Sequence, residues 1–178
     1  MKIKDLTLPG LKLILPKILR DSRGFFLETF QESLYRNNGI TAPFVQDNHS
    51  FSTYGVIRGM HFQSKPGQAK LIRVAIGKIY DVVVDIRPNS PTFGQWEGVY
   101  LDDEMHHQLF VPIGFAHGFC VVSKEAHVMY KVSSPYFGPT EKGFRFDDPI
   151  IGIQWPITHP FVSERDLKSP TFSEMRFT

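Results

Sequence analysis

The sequence has 178 residues, 42% of them apolar, which suits a single domain around one core at the usual ~100–200 residues per domain. Lys and Arg number 20 against 18 Asp and Glu, a net charge of +2, which gives no sequence-independent grip on nucleic acid or anionic lipid, so neither nucleic acid nor membrane is expected as a partner. The single cysteine, Cys120, cannot close a bridge within its own chain; a disulfide scaffold is excluded, a cytoplasmic setting is expected, and Cys120 reads as core packing.

Met1 to Arg20 spreads Lys2, Lys4, Asp5, Lys12 and Lys17 among its leucines, with Pro9 and Pro16 between them, and does not read as a signal peptide. No apolar run reaches the ~18 residues of a spanning helix. With 14 Gly, 13 Pro and 16 Phe, the composition favours short strands and frequent turns. β-rich runs separated by turn signals begin at Gly24 to Phe30 and predict a sandwich or barrel. Gln31 to Asn38, ending before Gly39, predicts one short helix and Glu164 to Lys168 another. Between them, Lys70 to Ile76 and Ile79 to Ile86 flank Gly77-Lys78, which predicts a two-residue hairpin whose turn requires a positive φ.

Residues two apart in a strand share a face, and a closed sheet has one face inside. Lys70 shares its parity with Ile72, Val74 and Ile76, so if those three are interior an ammonium points into the lumen, which is costly without a partner. Tyr130 shares its parity with Val128 and Val132 and is likewise expected to point inward. An inward tyrosine is commonplace; an inward lysine is rare enough to suggest a ligand. Val56 to Gln63 carries Arg58 and His61 three positions apart, on opposite faces of a regular strand unless a bulge at Gly59 brings them together. Taken alone, His61 reads as a satisfied barrel histidine.

Seven histidines, His49, His61, His106, His107, His117, His127 and His159, raise the question of a metal. In metal-binding cupins a His-X-His pair supplies the central ligands. Here the pair would be His61 and Gln63, and a neutral amide replaces a strong imidazole ligand, so a metal site is the weaker reading.

Arg58-Gly-Met-His-Phe-Gln63, Ser90-Pro-Thr-Phe-Gly-Gln-Trp96, Val111-Pro-Ile-Gly-Phe-Ala-His-Gly-Phe119 and Asp147-Asp-Pro149 occur in that order. Together they resemble the dTDP-4-dehydrorhamnose 3,5-epimerase family, over the chain from Arg20 to Pro170. The resemblance implies an all-β, cupin-type jelly-roll barrel of two antiparallel sheets with a few short peripheral helices. It implies a homodimer with exchanged N-terminal strands, no metal and no cofactor. Carried over by position, the general base falls on His61, the general acid on Tyr130, the aspartate that orients the base on Asp166, and the lysine near the keto oxygen on Lys70. Nucleotide and phosphate contacts fall on Arg23, Glu28, Gln46, Asn48, Arg58, His117 and Glu141, with Tyr136 as the tyrosine stacked on thymine. Arg165 stands where the family more usually has lysine; both are cations able to bind phosphate, with different geometry.

These residue types suit the chemistry. Inverting a carbon beside a ketone needs one base to remove an acidified proton and one acid to reprotonate the opposite face, and imidazole and phenol fill those roles near neutral pH. The expected substrate is dTDP-4-keto-6-deoxy-D-glucose, converted to dTDP-4-keto-L-rhamnose. The alternatives are an epimerase of a single centre or of another nucleotide-linked 4-keto sugar, a non-catalytic binding module, and a metal-dependent cupin. For Arg23, beside Asp21, a surface ion pair is a respectable competing interpretation. Trp96 and Trp155 read as core or interface aromatics, and His106, His107 and His159 as solvated.

Overall fold

The computed structural model describes residues 1–177. The described chain contains β1 (Lys2–Asp5), β2 (Lys12–Leu15), β3 (Leu19–Asp21), β4 (Gly24–Phe26), α1 (Glu32–Arg36), β5 (Gln46–Thr53), β6 (Val56–Gln63), β7 (Lys70–Asp85) and β8 (Trp96–Asp102). After these come β9 (Gln108–Val111), β10 (Phe115–Val132), β11 (Glu141–Gly143), β12 (Phe161–Val162) and α2 (Glu164–Leu167). Both helices lie where the sequence placed them.

Two long strands organise everything else. β7 and β10 pair antiparallel from Phe115↔Asp85 to Val132↔Lys70, with register shifts between Val121 and Ala126 and between His127 and Val128. The ribbon bends there and its two halves join different neighbours. Residues 70–73 of β7 pair with β9, which pairs with β2 and then β1, while residues 125–132 of β10 pair with β5. Residues 78–84 of β7 pair with β8, while residues 117–120 of β10 pair with β6, whose free side takes β11 and, in parallel, β12. The result is the expected jelly roll: two mostly antiparallel sheets, continuous through β7 and β10. β3 and β4 form a separate ribbon.

The Gly77-Lys78 hairpin does not form. Gly77 does have a positive φ, +85°, but there the chain bends within β7 and does not reverse, because β10 follows it on both sides of the bend. The bend keeps its hydrogen bonds through side chains: Gly77 N–H donates to Asp103 Oδ2 at 2.8 Å and Lys78 N–H to Ser123 Oγ at 2.7 Å. Ile76, expected inside, is 48% exposed, since the register shift just before the bend turns it outward.

The main core fills the space between the sheets, with Ile72, Val74, Leu109 and Val128 from one and Ile79, Val83, Phe119 and Val121 from the other. A second core covers the opposite face of the β6–β8 sheet, where Met60, Phe62, Val82 and Val84 meet Phe144, Ile151, Ile153 and Phe172 from the C-terminal segment. Burial on both faces explains the unbroken run Val82–Val84. Trp96 and Trp155 pack at the edge of this second core. Cys120 is wholly buried beside Ile57 and Phe146, and burial pushes its thiol up to about 11, an inert packing residue as expected. His106, expected to be solvated, is buried against Phe25 with ring centroids 4.5 Å apart; His107 is half-buried and His159 exposed.

A Cβ at Gly77 would collide with the backbone oxygen of Glu125, in a backbone region that strains other residues. Gly77→Ala is expected to cost about 2 kcal/mol or more and to lower Tm by on the order of 5 °C, measured by thermal denaturation.

Candidate active site

Alternation in β5 places Gln46, Asn48, Ser50 and Ser52 on its covered face and Asp47, His49, Phe51 and Thr53 on its exposed one. That covered face borders a cavity of about 610 Å³ between the sheets, lined also by Lys70 of β7, Tyr130 and His117 of β10, Arg58 and His61 of β6, Glu141 of β11, and Arg165 and Asp166 of α2. Lys70 has the parity of the buried Ile72 and Val74, and Tyr130 packs against the main core, as the pattern required.

Arg58 and His61 share the cavity because β6 is irregular between them. His117 pairs with His61 but Phe119 pairs with Arg58, so two residues of β10 span three of β6. Gly59 lies in that bulge with φ +129°, and a Cβ there would stand 2.6 Å from the Gly118 Cα, so only glycine fits. The Arg58 guanidinium is steered by β5: Nε donates to Ser52 Oγ at 2.9 Å and Nη2 to the Phe51 carbonyl at 3.1 Å.

Asp166 is only 4% exposed. The N-cap of α2 sets its position, with Asp166 N–H donating to Ser163 Oγ at 3.1 Å. Its carboxylate accepts from His61 Nε2 at 2.8 Å and from Gly59 N–H at 3.3 Å. Burial would raise its pKa, but the His61 hydrogen bond and charge, the Gly59 amide and Arg165 outweigh burial and hold it below the usual carboxylate value. An ionised Asp166 can only accept. Nε2 of His61 must therefore carry the hydrogen, which leaves Nδ1 as the basic nitrogen.

Behind this pair lies a second one: His117 Nε2 is 2.9 Å from both carboxylate oxygens of Asp81, which is fully buried. Burial lowers the His117 pKa and Asp81 opposes that shift. Burial also pushes the Lys70 ammonium down to about 8, against the pull of Asp81 and Glu141, so it is still mostly charged at pH 7. The Tyr130 phenol is raised by burial, against the nearby Arg58 charge, and keeps its proton across the neutral range.

An adjoining cavity of about 540 Å³ shares His61, Glu141 and Arg165 with the first and is bordered by Tyr136. Tyr136 Oη donates to Glu141 Oε2 at 3.1 Å, its backbone N–H to Gln46 Oε1 at 3.3 Å, and Gln46 Nε2 to Asn48 Oδ1 at 2.8 Å. Of the thirteen residues singled out from the sequence, eleven thus lie in or beside this double cavity. Arg23 and Glu28 do not: Arg23 pairs with Asp21 at 2.6 Å on the separate β3–β4 ribbon, and Glu28 is exposed beyond it. Within one chain, the surface ion pair foreseen for Arg23 is what forms. Sequence reasoning missed Asp81, Ser50 and Ser52. Asp81 carried the same signal as Lys70, a charge sharing parity with Ile79 and Val83. Ser50 Oγ is buried in the cavity lining with no hydrogen-bond partner. Among the described residues, no three His, Cys, Asp or Glu side chains are grouped as metal ligands.

A jelly roll whose lumen is lined by an imidazole bonded to a buried carboxylate, a protonated phenol and an ammonium has the side chains that a carbon-acid isomerase of the cupin type requires. Comparison with known proteins specifies it further. Residues 5–174 match the dTDP-4-dehydrorhamnose 3,5-epimerase family, and the chain belongs to that family. A Shigella flexneri dTDP-4-dehydrorhamnose 3,5-epimerase is 44% identical over 174 residues, 97% of this chain and 96% of its own. A Neisseria gonorrhoeae enzyme of the same name is 46% identical over 98% of this chain but is longer, the chain spanning 53% of it. The crystal structure of dTDP-6-deoxy-D-glucose-3,5-epimerase from Legionella pneumophila Philadelphia 1, in complex with dTDP-4-keto-L-rhamnose, superposes with a TM-score of 0.96 at 44% identity, covering 98% of this chain and 94% of that one. The activity is accordingly that of an isomerase, 3,5-epimerisation in dTDP-rhamnose biosynthesis.

Proposed function

We propose that His61 and Tyr130 carry out this epimerisation as general base and general acid on opposite flanks of the sugar. The observation that carries the reading is the His61–Asp166 contact, which leaves a basic Nδ1 in the same cavity as a phenol that retains its proton. The C4 ketone acidifies the hydrogens on C3 and C5. His61 takes one of them, the C–H electron pair becomes the enolate double bond, and the charge moves to the C4 oxygen. Tyr130 then delivers its proton to the opposite face, the carbonyl re-forms and the centre is inverted. The imidazolium and phenolate that result exchange protons with solvent before the second centre reacts. Lys70 faces the enolate oxygen and stabilises it, worth about 3 kcal/mol in comparable oxyanion sites. Side chains alone supply these proton transfers, so no cofactor or metal enters the scheme.

The substrate's nucleotide occupies the adjoining cavity, with thymine against Tyr136, flanked by Gln46, Asn48 and Glu141. The diphosphate lies between Arg58 and Arg165, and His117 contacts the substrate from the floor of the main cavity. Arg23 and Glu28 reach the site from a second copy of the chain. Supporting that, the β3–β4 ribbon that leads to them exposes Leu19, Phe25 and Phe26, an apolar surface suited to a partner. β1 and β2 are paired within their own sheet, which supports β3–β4 as the N-terminal strands that are exchanged. No described helix is long and apolar enough to cross a membrane, consistent with an enzyme working in the cytoplasm on a diffusible substrate.

Incubation with dTDP-4-keto-6-deoxy-D-glucose in deuterated buffer is expected to place deuterium at both C3 and C5 by NMR. His61→Asn is expected to abolish exchange at both, and exchange at one carbon in the unaltered protein would demote the double inversion. Lysine is charged below its pKa, so the kcat/KM profile, which reports the free enzyme, is expected to fall as pH rises through about 8. Lys70→Met is expected to lower kcat ~100-fold with a smaller change in KM; a loss confined to KM would reassign Lys70 to ground-state binding. Sedimentation is expected to give twice the protomer mass, and Phe26→Asp to yield monomers with weakened substrate binding.

A further inference from the structure

Three contacts meet at Arg165 that phosphate binding does not require. Nη1 donates to Glu141 Oε2 at 2.8 Å, Nη2 stands 3.1 Å from His61 Nε2, and Nε lies 3.6 Å from Asp166 Oδ1. Glu141 is itself set in place by β11, paired with Gln63, and by the Tyr136 hydroxyl. Arg165 belongs to the same short helix as Asp166, so the backbone that presents the carboxylate to the imidazole also presents the cation.

The contact with His61 is not an ordinary hydrogen bond. Nε2 already gives its hydrogen to Asp166, so the guanidinium N–H faces a ring nitrogen with no free lone pair. The two carboxylates on either side hold it there. When the imidazole takes a second proton, its positive charge spreads over both nitrogens and the neighbouring guanidinium opposes it. Without that cation, Asp166 and Glu141 would both favour imidazolium, and a base already protonated at rest cannot remove a proton from carbon.

We propose that Arg165 is a positioning residue for the base: anchored by Glu141, its guanidinium stands against the His61–Asp166 pair and offsets part of the attraction of Asp166 for a second proton on the imidazole. The inference deepens the epimerase reading and rests on it for its catalytic meaning, but the titration it concerns is measurable without substrate. The other ionisable groups that line the two cavities around His61 are Arg58 on its own strand, Lys70 on β7, His117 and Tyr130 on β10, Lys142 on β11, and Tyr136, Glu174 and Arg176. None of them is changed in the test.

The full chain, labelled with nitrogen-15 histidine, would be titrated by NMR, with the His61 ring signals assigned by their loss in His61→Asn. In Arg165→Gln the His61 midpoint is expected to rise by roughly half a pH unit or more, and the acid limb of kcat/KM to move with it. Arg165→Lys keeps the charge and is expected to hold the midpoint nearer the unaltered value. Superimposable His61 titrations in the unaltered protein and Arg165→Gln would overturn the inference, even if KM rises as it would for a residue that only binds phosphate. An unaltered protein inactive on the keto sugar would instead remove the epimerase reading, leaving the midpoints to decide the electrostatic one. Circular dichroism of each variant confirms that the fold is retained.

Discussion

The pairing of β7 with β10, bent once near its middle, is the constraint on which the site depends. If the ribbon ran straight, Lys70 and Tyr130 would lie at one end of a single sheet and His117 far along it. Bending at Gly77 and at residues 121–126 folds the two halves over each other. One half then presents the ammonium and the phenol, and the other presents His117 and pairs with the strand that carries His61. The glycine is required because the bend needs a positive φ and leaves no room for a Cβ beside Glu125.

Placing ionised groups between two sheets is expensive unless each finds a partner. The chain meets that demand in pairs: Asp166 with His61, Asp81 with His117, Glu141 with Arg165. Among the described residues Lys70 has no direct ion pair and depends on the more distant charges of Asp81 and Glu141, which only partly offset the lowering of its pKa by burial. An ammonium held this way suits the role proposed for Lys70 beside the enolate oxygen. The second core, on the far side of the β6–β8 sheet, keeps this arrangement rigid from behind, because Met60, Phe62 and Ala116 alternate with the site residues on the same strands.

The double cavity also accounts for how one base could serve a substrate bound by its far end. His61, Glu141 and Arg165 form the shared wall between the two compartments. A nucleotide gripped in the outer compartment would leave the sugar as the part closest to the imidazole, so binding energy from the nucleotide would be used to orient the reacting carbons.

Much of this was readable in the sequence for local reasons. Strand periodicity turned Lys70 and Tyr130 inward, Gly59 offered a place for the bulge without which Arg58 and His61 would face apart, and both short helices began and ended at their local signals. The motif order identified the family and with it the jelly roll. Tertiary structure decided what local patterns leave open. Gly77 looks the same whether the chain reverses or merely bends, since both need the same φ, and only the presence of β10 along both halves selects the bend. His106 sits in a polar stretch yet is buried, because Phe25, some eighty residues earlier, folds over it. Asp81 and Ser52 find their partners, His117 and Arg58, on other strands, and Ser50 joins the site only through the cavity that those strands enclose. Arg23 and Glu28 stay outside the cavity because the β3–β4 ribbon and the residues just after it pair with neither sheet of their own chain. Periodicity reports which way a side chain faces; what it faces is set by contacts between segments distant in the chain.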